Sequence, residues 1–279
     1  MFESMILPLM IILIFGIPHG AADGVLMLRR NLLDSSFQKS LFFFFYILIA
    51  IIVVAFWIVF PMLGLLAFLL LSIFHFGSGD ARIYQQLPLF YLRSFLHGSA
   101  VVLFISFFHQ GQTSKLYAIL LQGSPDYIGY FLKFLLALWV VGIAGYLFHL
   151  LMKKQLTFWP LLEITTLGVL FYVLPPLWGF AFYFCAIHSL RHFKSIYRLV
   201  DANGALGLDV ISILVISFVT ISAILGAALI LPDYDYTTNL VRTVFIGLAA
   251  LTVPHMLLID FFPHRAHALW VWFRGLSYE

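Results

Sequence analysis

Residues 42–60 read FFFFYILIAIIVVAFWIVF, nineteen consecutive positions without a charged side chain. A helix needs roughly 20 apolar residues to cross the ~30 Å hydrocarbon core of a bilayer. Similar runs occupy 63–73, 128–151 and 210–231. None shows the apolar and polar alternation of a membrane barrel strand, and in lipid a single segment must pair its own backbone amides. We therefore expect an all-α fold, a polytopic transmembrane helical bundle.

Composition supports a multi-pass protein of the cell membrane, surrounded by lipid. Hydrophobic residues make up 63% of the 279 and charged residues only 10%, against about 25% charged in soluble proteins. The net charge is +3, and no basic face interleaved with aromatic residues indicates nucleic acid. Because Cys185 is the one cysteine, any metal must be bound by histidines and carboxylates. The acidic N-terminal MFES does not resemble a removable signal peptide.

Hydropathy predicts about nine helical segments in a single integral membrane domain, residues 1–279. Pro61 and the pair Pro175 and Pro176 are expected to mark tight turns, because proline lacks a backbone donor. A count of seven, with 41–79 or 158–190 partly re-entrant, is the alternative. The predicted segments are 5–27, 41–60, 62–79, 89–108, 127–151, 158–174, 177–197, 209–231 and 240–261.

Lys and Arg predict the orientation, because they are retained on the cytoplasmic side of a membrane protein. Twelve of the fifteen basic residues fall in the odd-numbered connections and the C-terminal tail. This places the N-terminus outside and the C-terminus in the cytoplasm. Nine of the ten histidines then lie at or near the cytoplasmic ends of the helices, and only His109 lies outside.

Four of these histidines predict a metal site. His188 and His192 are four residues apart, which places both rings on one helix face. His19 and His75 lie in otherwise apolar helix ends at the same predicted depth. Ionisable residues within membrane segments are costly and are candidates for function. Five other histidines are more simply explained as interfacial anchors: His97, His109, His149, His264 and His267.

Carboxylates accompany these histidines. Asp23 and Asp80 follow His19 and His75 by about one helical turn, and Asp260 follows His255. Each can accept the second ring proton of a ligating histidine and so fix its tautomer.

Neutral imidazoles suit Fe, Zn or Cu better than Mg or Ca. Four histidines on Fe(II) would leave two of about six positions open, whereas tetrahedral Zn would have none. An open site among membrane helices indicates an apolar substrate that arrives through the bilayer. The aromatic residues beside the histidine motifs are the expected walls of a tunnel: Phe74, Phe76, Tyr183 and Phe184.

Five short motifs, in order, resemble the Brp/Blh family of membrane β-carotene 15,15′-dioxygenases. The motifs are Pro18-His19-Gly20-Ala-Ala-Asp23, Phe74-His75-Phe76-Gly77, Leu96-His97-Gly98, His188-x-x-x-His192 and Pro254-His255-Met256. The resemblance implies a helical membrane enzyme that uses nonhaem Fe(II) and O2 to cleave β-carotene, or a related carotenoid, into two molecules of retinal. Such retinal is expected to pass to a rhodopsin.

The resemblance also assigns roles to residues. It implies His19, His75, His188 and His192 as iron ligands and catalytic residues, the same four that the spacing selects. His97 and His255 are implied as supporting residues. Two other functions remain open. A di-iron lipid desaturase or hydroxylase would need about eight histidines in several motifs that include adjacent His-His pairs. This chain has one His-x-x-x-His motif and no adjacent pair. A metal or haem carrier would need polar residues through the membrane midplane, where these helices are apolar.

Overall fold

The computed structural model describes residues 3–29, 35–84, 87–153, 159–194, 206–231 and 235–261. Every regular element in these ranges is a helix, which confirms the all-α bundle. Within them, seven helical spans are long and apolar enough to cross a membrane. The spans are Met5–Gly24, Ser36–Val59, Pro61–Ala81, Phe90–Phe108, Asp126–Lys153, Val210–Ile230 and Tyr236–Ile259.

The chain divides into two compact units, Met1–Val59 with Ser189–Glu279, and Phe60–His188. In the first unit, the helix Tyr236–Met256 packs against α3 (Ser36–Val59) and against the helix Leu206–Ile230, and Leu206–Ile230 packs against Ile17–Arg29. Large apolar side chains on α3, such as Ile51 and Ile58, are exposed, as expected of a surface that faces lipid. The helices of this unit are α1 (Glu3–Ile11), α2 (Ile17–Arg29), α3 (Ser36–Val59), α10 (Leu206–Ile230) and α11 (Tyr236–Met256).

In the second unit, α5 (Phe90–Phe108) packs against every other helix of the unit, and most closely against α4 (Pro61–Ala81). Leu96 and Ala100 of α5 form a buried cluster with Tyr146 and Leu150 of α7 and Ile164 of α8. The helices of this unit are α4 (Pro61–Ala81), α5 (Phe90–Phe108), α6 (Gln110–Leu121), α7 (Asp126–Lys153), α8 (Trp159–Val173) and α9 (Pro176–Phe182).

In the part of the chain that the structure describes, three π-helical turns interrupt or extend the helices, and each lies at a histidine motif. They are Ile12–Gly16 before His19, Tyr183–Ser189 around His188, and Leu257–Phe261 after His255. Two of these motifs begin with a proline inside the helix, Pro18 and Pro254. Because proline cannot donate to the preceding turn, it disturbs the regular hydrogen-bond ladder there. Such π-turns are frequent at functional sites.

The sequence predicted the helices better than the connections. All nine predicted segments are helical in the described residues, and Pro61 and Pro176 begin α4 and α9 as expected. Helix α6 was not predicted, because Gln110, Gln112 and Lys115 make it too polar for a membrane span. The orientation of the termini and the single domain both stay predictions.

Candidate metal centre

His75 and His188 form a buried pair in the second unit. Their Nε2 atoms lie 3.1 Å apart, and the ring centroids 4.8 Å apart. His75 comes from α4 and His188 from the π-turn after α9, and each side chain is only 6% exposed. Two of the four predicted ligands are thus brought together nitrogen to nitrogen.

Helix α4 is held in place by a close crossing with α5. A Cβ atom on Gly77 would lie 1.8 Å from the carbonyl oxygen of Ser94, and one on Gly98 would lie 1.8 Å from that of Ile73. Small residues of this kind let membrane helices approach through their backbones. Each glycine is the last residue of a histidine motif, Phe74-His75-Phe76-Gly77 or Leu96-His97-Gly98, so the crossing positions the histidine beside it.

Aromatic side chains surround His188. The ring of Phe76 meets it edge-on at 4.8 Å, and that of Phe184 stacks on it at 6.0 Å. Tyr183 packs against Phe76 at 5.2 Å and is fully buried. The structure therefore gathers three of the four predicted tunnel residues around one predicted ligand. The side chain of Phe74, the fourth predicted tunnel residue, is 40% exposed.

Asp80 is buried at the end of α4 and accepts a hydrogen bond from the hydroxyl of Tyr183, at 2.9 Å. Ligand atoms of Asp80, His97 and Glu163 lie within 4.8 Å of one another. Asp80 thus contacts a tyrosine that packs on His188, and His97 lies beside Asp80. That Asp80 and His97 support the His75 and His188 pair stays a prediction, and Glu163 is not singled out by the sequence.

The first unit carries a second histidine cluster, formed by His19, His192 and His255. The ring centroids of His19 and His192 are 5.5 Å apart, those of His19 and His255 5.2 Å, and those of His192 and His255 5.0 Å. His19 and His255 are buried and His192 is half-buried. The other two predicted ligands, His19 and His192, thus lie together, and His255, which the sequence motifs present only as a supporting residue, lies beside them.

Asp23 pairs with His255. Both of its carboxylate oxygens lie 2.9 Å from Nδ1 of His255, and its Oδ2 also accepts from the hydroxyl of Tyr46 at 3.1 Å. Asp23 is only 1% exposed. The histidine that Asp23 contacts is therefore 232 residues away in sequence, whereas the sequence associated Asp23 with His19, one turn before it.

His19 is oriented by the backbone instead. Its Nδ1 donates to the carbonyl oxygen of Gly16, the last residue of the first π-turn, and lies 3.3 Å from Oγ of Ser189. A proton on Nδ1 puts the ring lone pair on Nε2, the tautomer that a metal ligand needs.

The remaining histidines lie elsewhere. His109 donates from Nε2 to the carbonyl oxygen of Phe171 at 2.9 Å, so it joins α5 to α8. His149 lies on α7, outside both clusters. The side chain of Asp260, a predicted supporting residue, is outside the described residues, as are His264 and His267. No signal in the sequence paired Asp23 with His255, although both Pro18-His19 and Pro254-His255 repeat the dipeptide Pro-His.

Comparison with known proteins agrees with these motifs. Residues 10–263 match the family model described as beta-carotene 15,15′-dioxygenase, a range that includes both histidine clusters. A protein of uncultured marine bacterium 66A03, named beta-carotene 15,15′-dioxygenase, is 30% identical over 270 residues, 92% of this chain and 94% of that protein. No solved structure matches the chain.

Proposed function

We propose that this chain, which belongs to the β-carotene 15,15′-dioxygenase family, is an iron-dependent enzyme that cleaves β-carotene at its central double bond. The cleavage consumes O2 and yields two molecules of retinal. The observation that carries the proposal is the approach of the two Nε2 atoms of His75 and His188 to 3.1 Å in a buried, aromatic surrounding.

This pair fits a shared metal ion. Imidazole nitrogens bind such ions at about 2.1 Å, and two nitrogens bound at right angles would lie about 3.0 Å apart. The separation of 3.1 Å agrees with that value. Imidazole donors suit Fe, Zn or Cu, and we propose Fe(II), because a six-coordinate ion bound by four histidines keeps two positions open for O2 and substrate.

We assign the iron to His19, His75, His188 and His192. When bound, the iron supplies the electrons and the template that O2 chemistry requires. The protein supplies placement, since neither an acid nor a base is needed to break a carbon–carbon double bond into two aldehydes. The backbone carbonyl of Gly16 orients His19, and Tyr183 with Asp80 supports the aromatic surroundings of His188.

The substrate is an apolar polyene that dissolves in the bilayer. The aromatic rings of Phe76 and Phe184 make the surroundings of His188 apolar, and an apolar, water-excluding environment favours a conjugated hydrocarbon over a polar molecule. The central double bond must rest near the metal, so the length of the enclosed space sets the cleavage position. Retinal leaves into the membrane, and we propose a rhodopsin as its acceptor.

The test is a parallel measurement of iron and of product. Full-length protein purified in detergent is analysed for iron, zinc and copper, and incubated with β-carotene and O2 while retinal is quantified. Wild-type protein should bind iron and form retinal. The variants His75→Ala and His188→Ala should lose the bound iron and more than about 10²-fold of activity, the scale seen when metal supports are removed.

His149→Ala is the matched control, because His149 lies on α7 away from both clusters, and it should keep iron and activity. His109 is a poorer control, since its hydrogen bond to Phe171 holds two helices together. Wild-type protein that carries zinc and forms no retinal would overturn the proposal, as would a His188→Ala variant with unchanged activity.

A further inference from the structure

We propose that His255 is a further ligand of the metal ion that His19 and His192 bind, and that Asp23 is its positioning residue. The inference goes beyond the four ligands assigned above and rests on the proposed metal site. It changes the role of His255, which the sequence motifs present only as a supporting residue. The three contacts that carry it lie within the first unit.

The first observation is the spacing of the rings. For an ion bound at about 2.1 Å, the ring centroid lies about 3.2 Å from the ion, and rings spread by about 90–120° have centroids about 4.5–5.5 Å apart. The three separations among His19, His192 and His255 are 5.0, 5.2 and 5.5 Å. All three fall within the range expected for ligands of one ion.

The second observation is the hydrogen bond of His255. Its Nδ1 faces both carboxylate oxygens of Asp23 at 2.9 Å, so Nδ1 carries a proton and donates it to the carboxylate. The lone pair of a neutral ring is then on Nε2. This carboxylate, histidine and metal arrangement is the usual way in which a protein fixes the tautomer and raises the basicity of a ligand.

The third observation is that Asp23 is itself held. The hydroxyl of Tyr46 donates to its Oδ2 at 3.1 Å, and the carboxylate is only 1% exposed. A buried carboxylate is costly unless its oxygens are paired. The oxygens of Asp23 are paired with Nδ1 of His255 and the hydroxyl of Tyr46, so the carboxylate is held in the position from which it orients His255.

A purely structural ion pair between His255 and Asp23 makes a different prediction. In that case His255 is protonated on both nitrogens and cannot bind a metal, and its loss would weaken folding without changing metal affinity. A ligand role predicts that metal affinity and the spectrum of the bound metal both change. The two roles are separated by a measurement on the metal itself.

The experiment is a titration of full-length, metal-free protein in detergent with Co²⁺, whose visible spectrum reports the number and kind of its ligands. His255→Gln should weaken Co²⁺ binding by more than about 10-fold and change the absorption bands. Asp23→Asn, which keeps the size of the side chain, should weaken binding by about 10–100-fold, with a smaller spectral change. Tyr46→Phe should have a smaller effect than Asp23→Asn.

His149→Ala is again the matched control and should bind Co²⁺ as the wild type does. Unchanged affinity and spectrum in His255→Gln would overturn the inference, and so would unchanged affinity in Asp23→Asn. Thermal unfolding of the metal-free variants shows whether each is folded, and if His255→Gln does not accumulate, Asp23→Asn decides. Failure of the proposed function has a different result, because wild-type protein would then bind Co²⁺ through His255 and still form no retinal from β-carotene.

Discussion

Gly77 of α4 and Gly98 of α5 lie where the two helices touch through their backbones. The position of a Cβ atom on Gly77 is 3.1 Å from the amide nitrogen of Gly98 and 1.8 Å from the carbonyl oxygen of Ser94. No side chain can be accommodated there unless the helices separate. The crossing holds α4, and with it His75, against the helix on which the rest of the second unit packs.

Replacing either glycine should therefore disrupt the second unit. Gly77→Ala or Gly98→Ala forces backbone away from backbone, and overpacking of this kind costs about 1–3 kcal/mol or more. We expect less protein in the membrane and a lower Tm in detergent. Gly79→Ala is the matched control, because a Cβ at Gly79 of the same helix meets nothing within 4 Å. That variant should be neutral or up to about 1 kcal/mol more stable, and equal loss in all three variants would contradict this account.

The hydrogen bond between Tyr183 and Asp80 gives a second prediction. Tyr183→Phe removes the hydroxyl that donates to a buried carboxylate at 2.9 Å, and a hydrogen bond to a charged group contributes about 1.5–3 kcal/mol. For a chain of this size, each kcal/mol lowers the Tm by about 2–4 °C. Tyr172→Phe is the control, since Tyr172 is 70% exposed. If both variants had the Tm of wild type within error, the hydrogen bond from Tyr183 to Asp80 would not stabilise the protein.

Residues near one another in the chain could be predicted, and long-range partners could not. Pro61 and Pro176 lie at the first positions of α4 and α9 for a local reason, because proline lacks the backbone donor that a helix interior needs. The apolar runs have no alternative to a helical form in lipid. The partner of Asp23 depends on how α2 and α11 pack, which no spacing in the sequence reports. For that reason Asp23 was associated with His19, and His255 with Asp260.

The start of α11 gives a prediction about pH. Asp235 caps this helix outside the membrane span, where its carboxylate accepts from the hydroxyl and backbone amide of Thr238 and from the amide of Thr237. These bonds, first among them that from the Thr238 hydroxyl, lower the pKa of Asp235 below its ordinary 3.8. A carboxyl group whose pKa is lower in the folded than in the unfolded state stabilises the folded protein at pH values above the unfolded-state pKa. That stabilisation is lost as the pH falls through the folded-state pKa.

The measurement compares thermal unfolding of wild type and Asp235→Asn across pH. Asparagine is also a good N-cap residue, so it removes the charge and keeps the cap. Wild type should be the more stable above the ordinary pKa of 3.8, and the difference should vanish in stronger acid. Asp235→Ala should be less stable than both at neutral pH. A difference that grows as the pH falls would have the wrong sign.

The aromatic residues around His188 give the last prediction. Phe184 is buried and stacks on His188, whereas Phe182, two residues before it, is 47% exposed. Under the proposed function, the wall at Phe184 stops the carotene so that its central double bond lies at the metal. Phe184→Ala removes that wall, so the polyene can slide, and cleavage should yield aldehydes of unequal length beside retinal, at a lower total rate. Phe182→Ala should give retinal alone at a rate close to that of wild type. Products are separated by chromatography and identified by mass, and retinal as the sole product of Phe184→Ala would show that the cleavage position is set elsewhere.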